Sequence, residues 1–207
     1  MRKLNKGIVA FALAAVMVTS LTACGGDTKK TESEPTSKET KVAEQTAEGQ
    51  AKTAEAKNFP KFTGKDFAGN KVDSSMFKNN KLTMLTFWFT GCQACVAEMP
   101  YLEKLSQDMK DKSVGVVGVC TDISSMGATL EEAQKILDDS GVKYTNITID
   151  SSPESDEFLM NIFAYPTSIL VDSEGNIVGD PITGAISNDN QLSELENKIS
   201  ELVDGMA

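Results

Sequence analysis

Phe87-Trp88-Phe89-Thr90-Gly91-Cys92-Gln93-Ala94-Cys95-Val96-Ala97-Glu98-Met99-Pro100 joins two segments whose patterns change abruptly at its centre. Leu82 to Phe89 is an unbroken apolar, β-branched and aromatic run, the pattern of a strand buried on both faces. Beyond the Gly91-Cys92 break, Val96, Met99, Leu102, Leu105 and Met109 recur at helical spacing. That spacing predicts a helix to about Asp111, interrupted or bent at Pro100. Two cysteines at i and i+3 on a first helical turn can close a disulfide, and the first faces unpaired amide hydrogens and the positive end of the helix dipole. A thiolate is favoured there, and the thiolate is the attacking species in disulfide exchange. Cys92 is therefore assigned as nucleophile and Cys95 as the resolving thiol.

Working outward, Lys61 to Lys65 and Asn70 to Asp73 read as short strands around the Ala68-Gly69-Asn70 turn, an N-terminal β-hairpin, followed by a helical turn from Ser74 through Phe77. Val114 to Cys120 is a second apolar strand. Thr129-Leu130-Glu131-Glu132 is a capping-box signature for a helix over Ala133, Ile136 and Leu137, stopped by Gly141. Asn146 to Asp150 reads as a third strand, and Ser152-Pro153 opens a short helix over Phe158 and Ile162. Thr167 to Val171 follows Pro166, and Ser173-Glu174-Gly175-Asn176 turns the chain into a hairpin partner at Ile177 to Val178. Leu192, Leu195, Ile199 and Leu202 give a closing helix. The order predicts an α/β fold with a mixed central sheet and helices on both faces.

Composition narrows the chemistry. The chain has 207 residues, room for one domain plus extras, and no histidine; its only arginine is Arg2. Cys-His and Ser-His-Asp nucleophile systems, His-ligated metals and arginine clamps on phosphate fall away together. With 30 acids against 20 bases and a net charge of −10, the balance disfavours a sequence-independent grip on a nucleic-acid backbone, which needs clustered Lys and Arg. A lone C-x-x-C is also half of a zinc site, but the only other cysteines are Cys24 and Cys120. No metal or cofactor is expected. Cys120, ending an apolar strand, reads as a small buried hydrophobe.

At the N-terminus Arg2, Lys3 and Lys6 precede an apolar run from Ile8 to Val18, a secretory signal too short to span a bilayer. Leu21-Thr22-Ala23-Cys24 resembles the lipobox of bacterial lipoproteins, which implies cleavage after residue 23 and acylation of Cys24. Residues 24–58 are then expected to form a disordered tether, with seven acids and six lysines between Asp27 and Asn58 and Val42 as their only large apolar residue. Residues 59–207 form the folded domain and carry 23 acids against 11 lysines, so the net negative charge resides there.

The domain resembles the thioredoxin superfamily, and within it the membrane-anchored thiol–disulfide reductases of the TlpA and ResA type. The marks are Phe87-Trp88, the Cys92 to Cys95 spacing, Glu98-Met99-Pro100, and Tyr165-Pro166-Thr167 before a strand. The resemblance implies a thioredoxin-like fold, a cis Pro166 beside the nucleophilic sulfur, and substrate contacts from Trp88, Tyr165 and Pro166. It further implies that Glu98 sets the thiol pKa values, with Thr86 where ordinary thioredoxins keep a buried Asp. It implies a lipid-anchored monomer outside the cytoplasm, on a Gram-positive surface, working in the reducing direction. Electrons would come from a membrane thiol carrier of the CcdA/DsbD type and pass to disulfides of exported proteins, such as methionine sulfoxide reductase or cytochrome c apoprotein. Two other readings compete: a peroxiredoxin-like peroxidase, which lacks its usual arginine here, and a non-catalytic copper- or protein-binding module, whose usual histidine is absent.

Overall fold

A computed structural model describes residues 58–123 and 126–206. The expected signal peptide (1–23), the acylated Cys24 and the tether as far as residue 57 lie outside the described residues. Thr63–Asp66 (β1) and Lys71–Asp73 (β2) pair antiparallel in the expected hairpin. Its turn is held by Asp66, which accepts from the amide and side chain of Asn70 at 2.8 and 2.9 Å. Gly69 sits there at φ 87°, a conformation open to a residue without Cβ. A 3-10 turn over Ser74–Asn79, capped by the Asp73 side chain, then carries Phe77 into the core.

The remaining elements are Leu82–Trp88 (β3), Gln93–Asp108 (α1), Val114–Cys120 (β4), Leu130–Asp139 (α2), Thr145–Ile149 (β5), Pro153–Met160 (α3), Thr167–Asp172 (β6), Ile182–Thr183 (β7) and Asp189–Asp204 (α4). The strands form one mixed sheet in the order β2-β1-β5-β4-β3-β6-β7. β3 lies between β4, parallel, and β6, antiparallel, and every one of its residues is buried. The unbroken apolar run follows from that central position.

Alternation along β3 separates the cores. Leu82 and Met84 pack with Leu102 and Leu105 of α1 and with Leu192, Leu195 and Ile199 of α4. Leu85 and Phe87 meet Phe59, Phe62, Phe77 and Phe158 of α3 on the other face. Trp88 heads a third cluster with Cys92, Cys95, Met99, Cys120 and, from α2, Ala133 and Leu137. Helices therefore cover both faces, as expected. The expected capping box at Thr129 and Glu132 is also formed.

Two expectations need correction. Helix α1 runs through Pro100 without interruption. Pro100 has no amide to offer the Val96 carbonyl, at a typical cost of about 3 kcal/mol. Burial of Cys95 and Met99 before it and Leu102 and Leu105 after it outweighs that cost. The helix gives way at Met109 to a 3-10 turn over Lys110–Lys112 rather than continuing to Asp111. The second correction concerns the hairpin partner of β6. Ile177 makes a single bridge to Val171, and Val178 donates to the Leu170 carbonyl at 2.8 Å, but the paired strand is β7. Gly179 at φ 72° and Pro181, which has no amide, separate the two.

Register fixes where the chemistry can assemble. Trp88 lies beside Cys120 in the parallel β3·β4 pair, and Phe87 lies beside Thr167 in the antiparallel β3·β6 pair. The links leaving β3 and β4 and the link entering β6 therefore meet at one end of the sheet. Among the described residues no helix is long and apolar enough to cross a membrane.

Candidate active site

The four-residue link from Phe89 to Cys92 ends in a tight turn in which the Cys92 amide donates to the Phe89 carbonyl at 3.0 Å. Cys92 is the N-cap of α1, in extended backbone, and its Sγ accepts from the Cys95 amide at 3.1 Å. Sulfur here occupies the place that a capping oxygen takes in most helices. No carboxylate lies in the first turn of α1, so the positive helix end is left to the sulfur. The two sulfurs are joined as a disulfide, with Cα atoms 5.3 Å apart. Cys92 is 6% exposed and Cys95 1%, so an incoming group reaches the first sulfur more readily. Gly91, Gln93 and Ala94 around it are exposed.

The Tyr165–Pro166 peptide is cis. Tyr165 packs against the cluster containing both cysteines, and its ring meets Phe89 edge-on with centroids 5.2 Å apart. The loop is fastened on either side: Thr167 Oγ1 donates to the Ala164 carbonyl at 2.9 Å, and the Gly184 amide donates to the Pro166 carbonyl at 3.0 Å. Next to it, Phe163 and Met160 are 88% and 78% exposed.

Glu98 is buried one helical turn beyond Cys95. Its Oε1 accepts from Thr86 Oγ1 at 3.3 Å and its Oε2 from the Ile186 amide at 3.1 Å. Burial pushes its carboxyl up to about 7 against these two hydrogen bonds, which favour the ionised form. The group is thus poised to exchange a proton near neutrality.

Trp88 adjoins the cysteines, but its side chain is 2% exposed and its indole N–H donates to Asn146 Oδ1 at 3.0 Å. The expected substrate contact from Trp88 has no exposed surface to work with; the ring is part of the floor beneath the disulfide. Cys120 is buried and free, and its thiol donates to Asp122 Oδ1 at 3.1 Å. Burial, with the Asp122 carboxylate beside it, pushes this thiol well above the usual range, so it stays protonated. Among the described residues no cluster of side chains is composed to hold a metal ion.

Sequence reasoning missed Asp122, Thr90 and the Ile186 amide. The first had a legible signal: a carboxylate just past the carboxyl end of a parallel strand, where sites in open α/β sheets form. The Ile186 amide had none, because any residue supplies a backbone N–H.

The Redoxin family model matches residues 54–199. Thiol-disulfide oxidoreductase ResA of Bacillus thuringiensis is 28% identical over 144 residues, covering 70% of this chain and 78% of its own. Thioredoxin-like protein YneN of Bacillus subtilis is 28% identical over 145 residues, with the same coverage of 70% and 78%. The crystal structure of the thioredoxin domain of a thiol-disulfide oxidoreductase from Bacteroides vulgatus superposes with a TM-score of 0.55 at 30% identity, over 70% of this chain and 98% of that one. The chain belongs to the Redoxin family and is a thiol–disulfide oxidoreductase of the TlpA/ResA-like kind, with a thioredoxin-like fold.

Proposed function

We propose that the protein is an extracytoplasmic, lipid-anchored thiol–disulfide reductase. The observation that carries this reading is the Cys92–Cys95 disulfide at the start of α1, with Cys92 Sγ receiving the Cys95 amide. In the reduced protein the Cys92 thiolate attacks a client disulfide, forming a Cys92–client bond and releasing one client sulfur, which takes up a proton. Cys95 then loses its proton and attacks Cys92 Sγ. This closes the enzyme disulfide and releases the second client sulfur as a thiolate. The client gains two electrons from the enzyme dithiol, and its two sulfurs take their protons from water, to which Cys92 gave its own on ionising. Glu98, titrating at about 7, receives the Cys95 proton and returns it when the pair is reduced again.

The client chain lies along the Tyr165–Pro166 loop, with exposed Phe163 and Met160 taking its apolar side chains. Clients are disulfides of exported proteins, methionine sulfoxide reductase or cytochrome c apoprotein among them, and a membrane thiol carrier of the CcdA/DsbD type returns the electrons. The basic-then-apolar leader and the Leu21–Cys24 segment support export and acylation at Cys24.

Reduction of insulin tests the reading. The pre-reduced protein should reduce insulin disulfides until its own pair is oxidised, and Cys92→Ser should not. Insulin left intact by the reduced wild-type protein would contradict the proposal.

A further inference from the structure

Asp122 is a buried carboxylate, 5% exposed, that the exchange steps leave unused. Its Oδ2 accepts from the Thr90 amide at 2.8 Å and from Thr90 Oγ1 at 2.5 Å, and its Oδ1 accepts from the Cys120 thiol at 3.1 Å. The ion pairs among the described residues are Lys104–Asp108, Lys104–Glu196 and Lys135–Asp139, so these donors, and not a cation, hold it. A carboxylate is costly to bury, and its presence here calls for a task that an apolar residue would not perform.

The neighbouring contacts show which task. Thr121 donates from its amide and hydroxyl to the Trp88 carbonyl at 2.9 and 3.2 Å, continuing the β3·β4 pairing one residue past the end of β4. Asp122 then takes hold of Thr90, two residues before Cys92, and the Cys92 amide closes back on Phe89. The link that delivers Cys92 to the helix is thus tied at Thr90 to the segment following β4, with Thr90 gripped at both its backbone and its side chain.

We propose that Asp122 is a positioning residue for disulfide exchange, fixing the Thr90–Gly91 link so that Cys92 Sγ meets an incoming disulfide in line. Exchange needs three sulfurs close to collinear, whereas alkylation by a small reagent needs only an accessible thiolate. A loosened link therefore slows the first and spares the second. This inference rests on the exchange reaction proposed above, and the two fail separately: a wild-type protein inert towards disulfides overturns the reaction, whereas an active one insensitive to Asp122 overturns only the positioning role.

The test compares Asp122→Ala and Asp122→Asn in the full chain, measuring insulin reduction and iodoacetamide labelling of Cys92. Asp122→Ala should lower kcat about ten- to a hundredfold with little change in KM and an unchanged labelling rate. Asp122→Asn, which keeps an acceptor for Thr90, should restore most of that loss. If Asp122→Ala does not fold, Thr90→Val removes the hydroxyl half of the grip and keeps the amide half, and a smaller slowing of exchange with unaltered labelling is expected. Exchange at the wild-type rate in Asp122→Ala or Thr90→Val, labelling that falls in parallel with exchange, or no recovery in Asp122→Asn would overturn the assignment.

Discussion

Glu98 Oε2 accepts the Ile186 amide at 3.1 Å across 88 positions of sequence, joining the helix that carries both cysteines to the segment between β7 and α4. The carboxylate is thereby fixed at both oxygens, to Thr86 of the central strand and to Ile186, and held where burial sets its proton affinity.

That proton affinity is visible in stability. Glu98 titrates at about 7 in the folded protein against 4.5 for the free side chain, so between these values the folded chain keeps a proton that the unfolded chain has lost. Its contribution is complete below pH 4.5 and is lost as the pH rises through 7. Glu98→Gln should remove this dependence: relative to wild type, the variant should gain roughly 3 kcal/mol between about pH 4 and about pH 8 in urea unfolding. Parallel profiles would show that Glu98 does not titrate as described.

Cys120 should be chemically silent. Its thiol is buried, raised in pKa and donated to Asp122. In the reduced, folded protein, iodoacetamide should modify Cys92 and leave Cys120 untouched until denaturant is added, as peptide mass mapping will show. Labelling of Cys120 at a rate near that of Cys92 would mean that its strand end opens.

The floor beneath the disulfide depends on one close approach. A Cβ on Gly118 would stand 1.9 Å from Asn146 Oδ1 and 3.2 Å from Trp88 Nε1. Gly118→Ala should break the Trp88–Asn146 hydrogen bond and cost about 1–3 kcal/mol. Trp88 is the only tryptophan, so its emission reports the displacement directly. Unchanged emission and stability would show that Asn146 yields freely.

The client docking proposed at Phe163, which is 88% exposed, is separable from the chemistry. Phe163→Ser should leave thermal stability almost unchanged and raise KM for a protein disulfide about fivefold. The rate with a small linear disulfide such as oxidised glutathione should stay the same. Equal effects on both substrates would remove Phe163 from the docking surface.

The strand–cysteine–helix order was legible because each step has a short-range cause: burial on both faces makes β3 uniformly apolar, and the i, i+3 spacing puts two sulfurs on one turn. The α3 start at Ser152-Pro153 and the capping box at Thr129 are local in the same sense. What the sequence withheld depends on distant partners. Pro100 inside α1 is tolerated because side chains on either side of it are pressed onto the sheet, a balance no local rule contains. Ile177 and Val178 have strand composition, yet Gly179 and Pro181 pass the pairing to β7. For Trp88 the resemblance alone implied a substrate contact, and its burial with the indole N–H donated to Asn146 depends on a partner far along the chain.

The most direct measurement is the mass of the adduct formed when reduced Cys95→Ser protein meets a disulfide-bearing protein. A mixed disulfide should accumulate at Cys92 and persist, because the thiol that would resolve it is gone. No adduct on Cys95→Ser, with one forming instead at Cys95 in Cys92→Ser, would contradict the attacking role of the sulfur that caps α1.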